Sequence, residues 1–287
     1  MKPSFGIMTA PSQVDYSDVL RVWQEADRIP QIEHAWLYDH LMPIFGDPSG
    51  PTFEGWTLLS ALAARTERLR LGLLVTSNRF RPPAMLAKIA ATVDVVSDGR
   101  LDFGIGVGSR PDHPLARREY AAHGLPFHDS AHAVGNFAEA LTVIRRLWTE
   151  AEPFDFDGEY IKLTGAFGNP KPVQQPHPPI MIGGRSAATL RVVAEHADLW
   201  NFPGGDLDDG IGRNALLDRY CAEIGRDPAL ITRSIHVPVS YDQPGRTRDT
   251  ISAAVDAGFQ HLILSLPAPY PDGVAQWVTD ELVTRSN

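Results

Sequence analysis

The chain has 287 residues, 43% of them hydrophobic, enough to bury a sizeable core. Its formal net charge of -9 and pI near 5.5 weigh against a nucleic-acid binder, which shows a basic surplus. The single cysteine, Cys221, excludes an intrachain disulfide; in LLDRYCAEIG it shares a helical face with Leu217, Tyr220 and Ile224, the pattern of core packing.

Short apolar runs alternate with helical patterns along the chain. Ser4–Met8 reads as a strand in MKPSFGIM, which has no signal-peptide character. Tyr16–Ile29 reads as a helix, Ala35–Tyr38 as a strand, Glu54–Arg65 as a helix and Leu69–Thr76 as a strand. Pro82–Val96 is a helix with proline in its first turn, where the missing N–H costs nothing. Leu101–Val107 is a strand and His132–Trp148 a helix. Pro179–Ile182 is a strand, and Ser186–Glu195 a helix with Ser186 as N-cap. Ala197–Phe202 is a strand, and Asp208–Ile224 is mostly helical but interrupted by Gly210 and Gly212. Ser234–Tyr241, Arg246–Ala257, His261–Leu266 and Val274–Val283 close the chain as strand, helix, strand and helix.

Eight strands, each followed by a helix, close most naturally into a (β/α)8 barrel; a doubly wound open sheet is the alternative. The connection from Gly108 to Pro178 is long. Within it Phe154–Leu163 alternates around Asp157-Gly158 and reads as a hairpin outside the barrel, and the segment with His113, His123, His128 and His132 reads as a polar, mobile loop. No linker divides the chain, so residues 1–287 are expected to form one domain. No apolar run approaches the ~20 residues of a membrane span, so a soluble cytoplasmic protein with no membrane partner is expected.

Barrel active sites sit where strands end. The second strand ends in Tyr38-Asp39-His40, a carboxylate beside an imidazole that suits proton transfer. The third ends in Leu74-Val75-Thr76-Ser77-Asn78, followed by Arg79 and Arg81, a pair that also fits a solvated face. The fourth ends in Gly104-Ile105-Gly106-Val107-Gly108-Ser109-Arg110. This is not a G-x-G-x-x-G fingerprint, because Ser109 stands where glycine is required. Its glycines either let the backbone approach a phosphate or make room for bulky neighbours. Met181-Ile182-Gly183-Gly184-Arg185 ends the fifth strand at a helix start, an anion site by geometry and dipole, and Pro203-Gly204-Gly205 follows the sixth. Together these exits point to an anionic cofactor. No H-E-x-x-H, G-x-S-x-G or P-loop is present, and no metal site is expected.

These residues resemble the bacterial luciferase-like monooxygenase superfamily, and most closely its branch that uses the deazaflavin coenzyme F420. The similarity is strongest over Arg68–Val107 and in PKPVQQPHPPIMIGG, Pro170–Gly184, leading into AEHADLWN. The resemblance implies a barrel with an insertion after the fourth strand and a cofactor lying across the strand ends. It implies a non-proline cis peptide at Leu74-Val75, Asp39 against the cofactor ring with Thr76 near it, and His40 as proton donor or acceptor. Val107, Gly108, Gly183 and Gly184 would meet the ring's side chain or phosphate. Ser109, Arg110, Met181, Ile182, Pro203, Gly204 and Gly205 complete the candidate contacts. Two departures stand out. The branch's glucose-6-phosphate dehydrogenases carry tryptophan where this chain has Ile44 and glutamate where it has Ser109, so a sugar phosphate is not the expected substrate. The resemblance implies an F420-dependent oxidoreductase, active as a homodimer on a small molecule. The alternatives are an FMN-dependent monooxygenase and a cofactor-binding protein without turnover.

Overall fold

The computed structural model describes residues 2–109, 113–126 and 128–286. The strands are β1 (Ser4–Thr9), β2 (His34–Leu37), β3 (Arg70–Leu73), β4 (Thr76–Ser77), β5 (Leu101–Gly106), β6 (Phe154–Asp157), β7 (Lys162–Ala166), β8 (Ile180–Gly183), β9 (Leu199–Phe202), β10 (Thr232–Pro238) and β11 (His261–Ser265). All pairings are parallel except the hairpin of β6 and β7. The parallel ring runs β1-β2-β3-β5-β8-β9-β10-β11 and returns to β1, a closed barrel of eight strands in which β4 continues the third. The third strand, read as Leu69–Thr76, divides at a cis peptide between Leu74 and Val75, the bond that the resemblance implies.

Helices α1 (Tyr16–Asp27), α2 (Gly55–Ala63), α3 (Pro83–Val96), α4 (Pro114–Ala122), α5 (Ser130–Thr149), α6 (Ala187–His196), α7 (Leu207–Glu223), α8 (Pro244–Asp256) and α9 (Val274–Val278) cover the barrel and its insertion. Local chemistry sets their ends. Asp129 caps α5 by accepting from the His132 N–H, and Ser186 caps α6 by accepting from that of Thr189. On α1, Val19, Val22, Trp23 and Ala26 recur at helical spacing and are fully buried against the barrel. Helix α7 runs unbroken through Gly210 and Gly212, because packing of Leu217, Tyr220 and Cys221 outweighs two weak helix formers. Helix α4 replaces the expected mobile loop: Pro114 opens it, and Ala116, Glu119 and Tyr120 form its buried face.

Inside the barrel, Met8, Trp36, Met181 and Ile263 make an apolar plug. Glycines admit it. A Cβ on Gly72 would lie 2.5 Å from the Trp36 ring, and one on Gly6 would lie 1.8 Å from His34 Nδ1. Below the plug, His34 and His261 stack at 3.8 Å; the Trp36 indole N–H donates to His34 Nδ1 at 2.7 Å, and His261 pairs with Ser234 at 2.9 Å. The plug floors the open end, so any ligand space lies above it, at the C-terminal ends of the strands.

Candidate active site

A cavity of about 830 Å³ opens there. Its walls come from the exits of all eight strands of the ring: β1, β2, the divided third strand, β5, β8, β9, β10 and β11. Asp39, His40, Leu74, Val75, Thr76, Val107, Gly108, Ser109, Gly183, Gly184 and Pro203 all line it, as do Phe45 and Phe80. The remaining candidates stand elsewhere. Met181 points into the plug, and Ile182, alternating with it, packs into the outer core. Gly204 and Gly205, at φ +79° and +99°, turn the chain toward Asp206, the cap of α7, and do not line the cavity. Arg110 lies outside the described residues.

Asp39 and His40 leave the same strand and meet different fates. Asp39 is 2% exposed. Its Oδ2 accepts from Thr76 Oγ1 at 2.5 Å and Arg81 Nη1 at 2.6 Å, and its Oδ1 from Arg81 Nη2 at 3.1 Å. Arg81 also pairs with Glu54, which caps α2 through the N–H groups of Trp56 and Thr57. Burial works against the Arg81 charge, but the two carboxylates outweigh it and its pKa is raised. Asp39 is therefore bolted into an ion pair that ties the β2 exit to the third strand and α2. Arg81, which in sequence fits a solvated face, is the bolt.

His40 turns toward α4. Its Nδ1 lies 3.1 Å from both carboxylate oxygens of Glu119, and Glu119 Oε1 also accepts the Leu41 N–H at 2.6 Å. A carboxylate accepts, so Nδ1 carries the proton toward Glu119 and Nε2 is the nitrogen left for another partner. The His40 side chain is 28% exposed and that of Glu119 only 4%. Glu119 was not read from the sequence, because its helix was not. The signal was present in PLARREYAA: proline at the first helical position and Ala116, Glu119 and Tyr120 at helical spacing.

His236, on β10, is a second histidine of the cavity wall that sequence reading passed over. Burial pushes its pKa down, opposed by a backbone hydrogen bond to Pro203, and its Nε2 is buried without a protein partner. A ligand in the cavity with a polar edge meets that need.

The glycine exits divide by role. A Cβ on Gly104 would lie 1.9 Å from the Leu73 carbonyl oxygen, and one on Gly106 would lie 3.0 Å from a Val75 methyl; both make room for the divided third strand. Gly108, at φ +96°, and Gly184, at φ +139°, hold backbone conformations that side chains rarely adopt and keep the cavity wall bare.

A closed parallel barrel with a cavity at the C-terminal ends of its strands defines a TIM-barrel protein. The chain belongs to the luciferase-like monooxygenase family, whose model matches residues 3–285. Among its relatives is an uncharacterised protein of Mycobacterium tuberculosis, 30% identical over 245 residues that cover 82% of this chain and 79% of the relative. A phthiodiolone/phenolphthiodiolone dimycocerosates ketoreductase of a Mycobacterium species (strain JLS) is 30% identical over 247 residues, covering 79% of this chain and 61% of its own. Among solved structures, an F420-dependent secondary alcohol dehydrogenase in complex with an F420-acetone adduct superposes with a TM-score of 0.86 at 18% identity, covering all of both chains. EDTA monooxygenase from Chelativorans superposes at 0.80 and 14%, covering all of this chain and 93% of the other. These likenesses show the fold. With the ketoreductase relative, the family makes the chain an oxidoreductase.

Proposed function

We propose that the protein is an F420-dependent oxidoreductase acting on a small carbonyl, imine or activated alkene, or on the reduced form of one, with His40 as proton donor and acceptor. The observation that carries the reading is the His40–Glu119 pair: an imidazole on the cavity wall, one nitrogen fixed by a buried carboxylate and the other left for substrate. The cavity fits a cofactor of this kind. Its volume lies within the range of small-molecule sites, its floor is apolar, Gly108, Gly183 and Gly184 leave wall without side chains, and His236 Nε2 waits for a hydrogen bond. Bound there, the deazaflavin supplies a hydride donor or acceptor at C5. The chain supplies the rest. Leu74, Val75 and Thr76 back the cavity, Gly108, Gly183 and Gly184 admit the cofactor's anionic tail, and Asp39, held by Arg81, keeps the β2 exit in place. His40 gives its proton from Nε2 to a developing alkoxide, or takes one from an alcohol, while Glu119 holds Nδ1–H.

Separate titrations with F420 and FMN, followed by fluorescence, test the cofactor. Tighter binding of F420 is expected; tighter binding of FMN overturns the reading in favour of a flavin monooxygenase. Tight F420 binding with no oxidation of the reduced form by any acceptor makes the protein a cofactor carrier instead.

A further inference from the structure

Two hydroxyls on the cavity wall take no part in the function proposed above. Ser12 lies beyond β1 and Tyr38 beyond β2; both line the cavity, both are buried, and Ser12 Oγ and the Tyr38 hydroxyl are hydrogen-bonded to each other. One proton serves that bond, and the pair keeps a second O–H to give. Backbone contacts hold Ser12 in place. It bridges Thr52, the Phe53 N–H donates to the Pro11 carbonyl and the Gln13 N–H to the Pro51 carbonyl, each at 2.9 Å, and the Ala10 N–H donates to the Tyr270 hydroxyl at 2.7 Å. The donor is therefore preorganised, which is what lets a hydrogen bond stabilise charge as it develops. Burial raises the pKa of Tyr38 despite the lowering effect of its bond to Ser12, so the phenol holds its proton at neutral pH.

His40 stands beside this pair and is turned another way. The Tyr38 and His40 rings meet edge to face with centroids 5.7 Å apart, yet Tyr38 is tied to the β1 exit through Ser12 and His40 to α4 through Glu119. The wall thus presents two groups at two points: a hydroxyl pair that binds a negative oxygen without giving up a proton, and an imidazole that carries an exchangeable one. A conjugated enone calls for both, at different atoms. Resting on the F420 reading above, we propose that the preferred substrate is an α,β-unsaturated carbonyl compound whose oxygen is held by the Ser12–Tyr38 pair while its α-carbon faces His40. The β-carbon gains a hydride from the reduced deazaflavin. The alkene electron pair then joins the α-carbon to the carbonyl carbon, and the carbonyl pair moves onto oxygen, giving an enolate hydrogen-bonded by the two hydroxyls. The α-carbon takes a proton from His40 Nε2, the carbonyl re-forms, and the products are the saturated carbonyl compound and the oxidised cofactor. His40 regains its proton from water. A plain ketone brings a single oxygen, which occupies one of the two points and leaves the other idle.

The test gives the protein reduced F420 with cyclohexenone or cyclohexanone, and follows the oxidised cofactor by absorbance and the product by gas chromatography. Cyclohexenone is expected to yield cyclohexanone, with kcat/KM at least tenfold above that for reduction of cyclohexanone itself, and F420 carrying deuterium at C5 places the label on the β-carbon. Tyr38→Phe and Ser12→Ala are each expected to lower kcat for cyclohexenone by roughly 10²-fold with KM changed little, the scale of one lost oxyanion donor. The double variant is expected to lose little more than either, because the two hydroxyls act as one donor. Each substitution removes a single oxygen, so near-UV circular dichroism like that of the wild type is expected. Equal rates on the two substrates, deuterium on the carbinol carbon, or unchanged kcat in the variants overturns the proposal. A second readout needs no turnover: para-nitrophenol, whose ionised oxygen stands in for that of the enolate, is measured by equilibrium dialysis on protein loaded with oxidised F420 or FMN, whichever it takes up. It is expected to bind at least tenfold more weakly to either variant than to the wild type. If it does so while cyclohexenone fails to oxidise reduced F420, the cofactor reading falls and the hydroxyl pair stands as an oxyanion site. If cyclohexanone turns over as fast as cyclohexenone and nitrophenol binds the variants as well as the wild type, the pair's role falls and the cofactor reading stands.

Discussion

His40 and Asp39 are adjacent in sequence and differ in what they can do, because neighbouring strand-end side chains diverge. Asp39 gives both oxygens to Arg81 and one also to Thr76, so it stabilises the wall; His40 sets Nδ1 against Glu119, and in the proposed mechanism its Nε2 serves the substrate. His40→Ala is expected to lower turnover by roughly 10²–10⁴ while leaving cofactor affinity largely intact, the scale of general acid–base loss. Near-normal turnover of that variant removes His40 from the mechanism. In the proposed mechanism Glu119 acts through His40, as a positioning residue. Glu119→Gln preserves an acceptor for the Leu41 N–H but replaces the symmetric two-oxygen grip on Nδ1. Its expected signature is a fall in kcat of up to roughly 10²-fold with KM changed little, since misplacing a reacting group is felt in the chemical step. Near-UV circular dichroism that matches the wild type separates this from general loosening of α4. Wild-type kcat in a folded Glu119→Gln would show that the pair only anchors the loop.

Glycine has opposite meanings on two elements, and the structure turns that into predictions of opposite sign. On β5, a methyl on Gly104 would meet the Leu73 carbonyl at 1.9 Å, backbone against backbone with no side chain to move aside. Gly104→Ala is expected to destabilise by about 2 kcal/mol or more, the cost of overpacking a dense core, read as a lower urea midpoint. On α7, Gly212 has nothing within 4 Å of an added Cβ, so Gly212→Ala is expected to raise stability by about 0.5–1 kcal/mol through helix propensity. A midpoint unchanged in the first variant or lowered in the second contradicts this account. The same elements show what was legible in the sequence. Strand and helix periods gave the eight-strand order and favoured the barrel over a doubly wound sheet, because eight alternating strands joined by right-handed crossovers close most naturally on themselves. The divided third strand was reached only through resemblance, since nothing in LLVTSN marks a break. Helix α4 was hidden by its polarity: LARREY carries three charges, and only packing shows Glu119 to be buried. Arg81 was hidden for the related reason that a charge looks solvated until its partners, 42 and 27 residues away, are placed beside it.

The whole molecule carries its polar interior at both ends of the barrel, and the end remote from the cavity governs how it responds to acid. His34 and His261 stack below the plug and are fully shielded; burial, then neighbouring charge, holds His34 well below its ordinary value, and burial foremost, then Arg70, holds His261 at about 3. His196, on α6, is depressed to about 4 by burial, then by Arg145 and Arg226. All three are neutral in the folded protein at pH 7, whereas in the unfolded chain they titrate near 6.5. Below pH 6.5 the unfolded state binds protons that the native state refuses, so unfolding becomes easier as pH falls, and the loss continues until the native values are reached. Each such group contributes about 1.4 kcal/mol per pH unit in that window, so the three together remove about 4 kcal/mol per unit. Asp102 opposes the trend, because burial raises its pKa even against Arg70, and a raised carboxyl favours the native state in acid. That offset sets in as the pH falls to the raised native value of Asp102 and is complete by the ordinary carboxyl range. By pH 5 that amounts to about 6 kcal/mol, a large share of a total stability of about 5–15 kcal/mol. Urea midpoints at pH 7.5, 6.5, 5.5 and 5.0 check this: a plateau above 6.5 and a steep fall below it are expected at constant m-value. A midpoint that holds level down to pH 5, or that begins to fall only in the carboxyl range, would show that the buried histidine stack accepts protons without cost and that the barrel's closed end is not its acid-sensitive part.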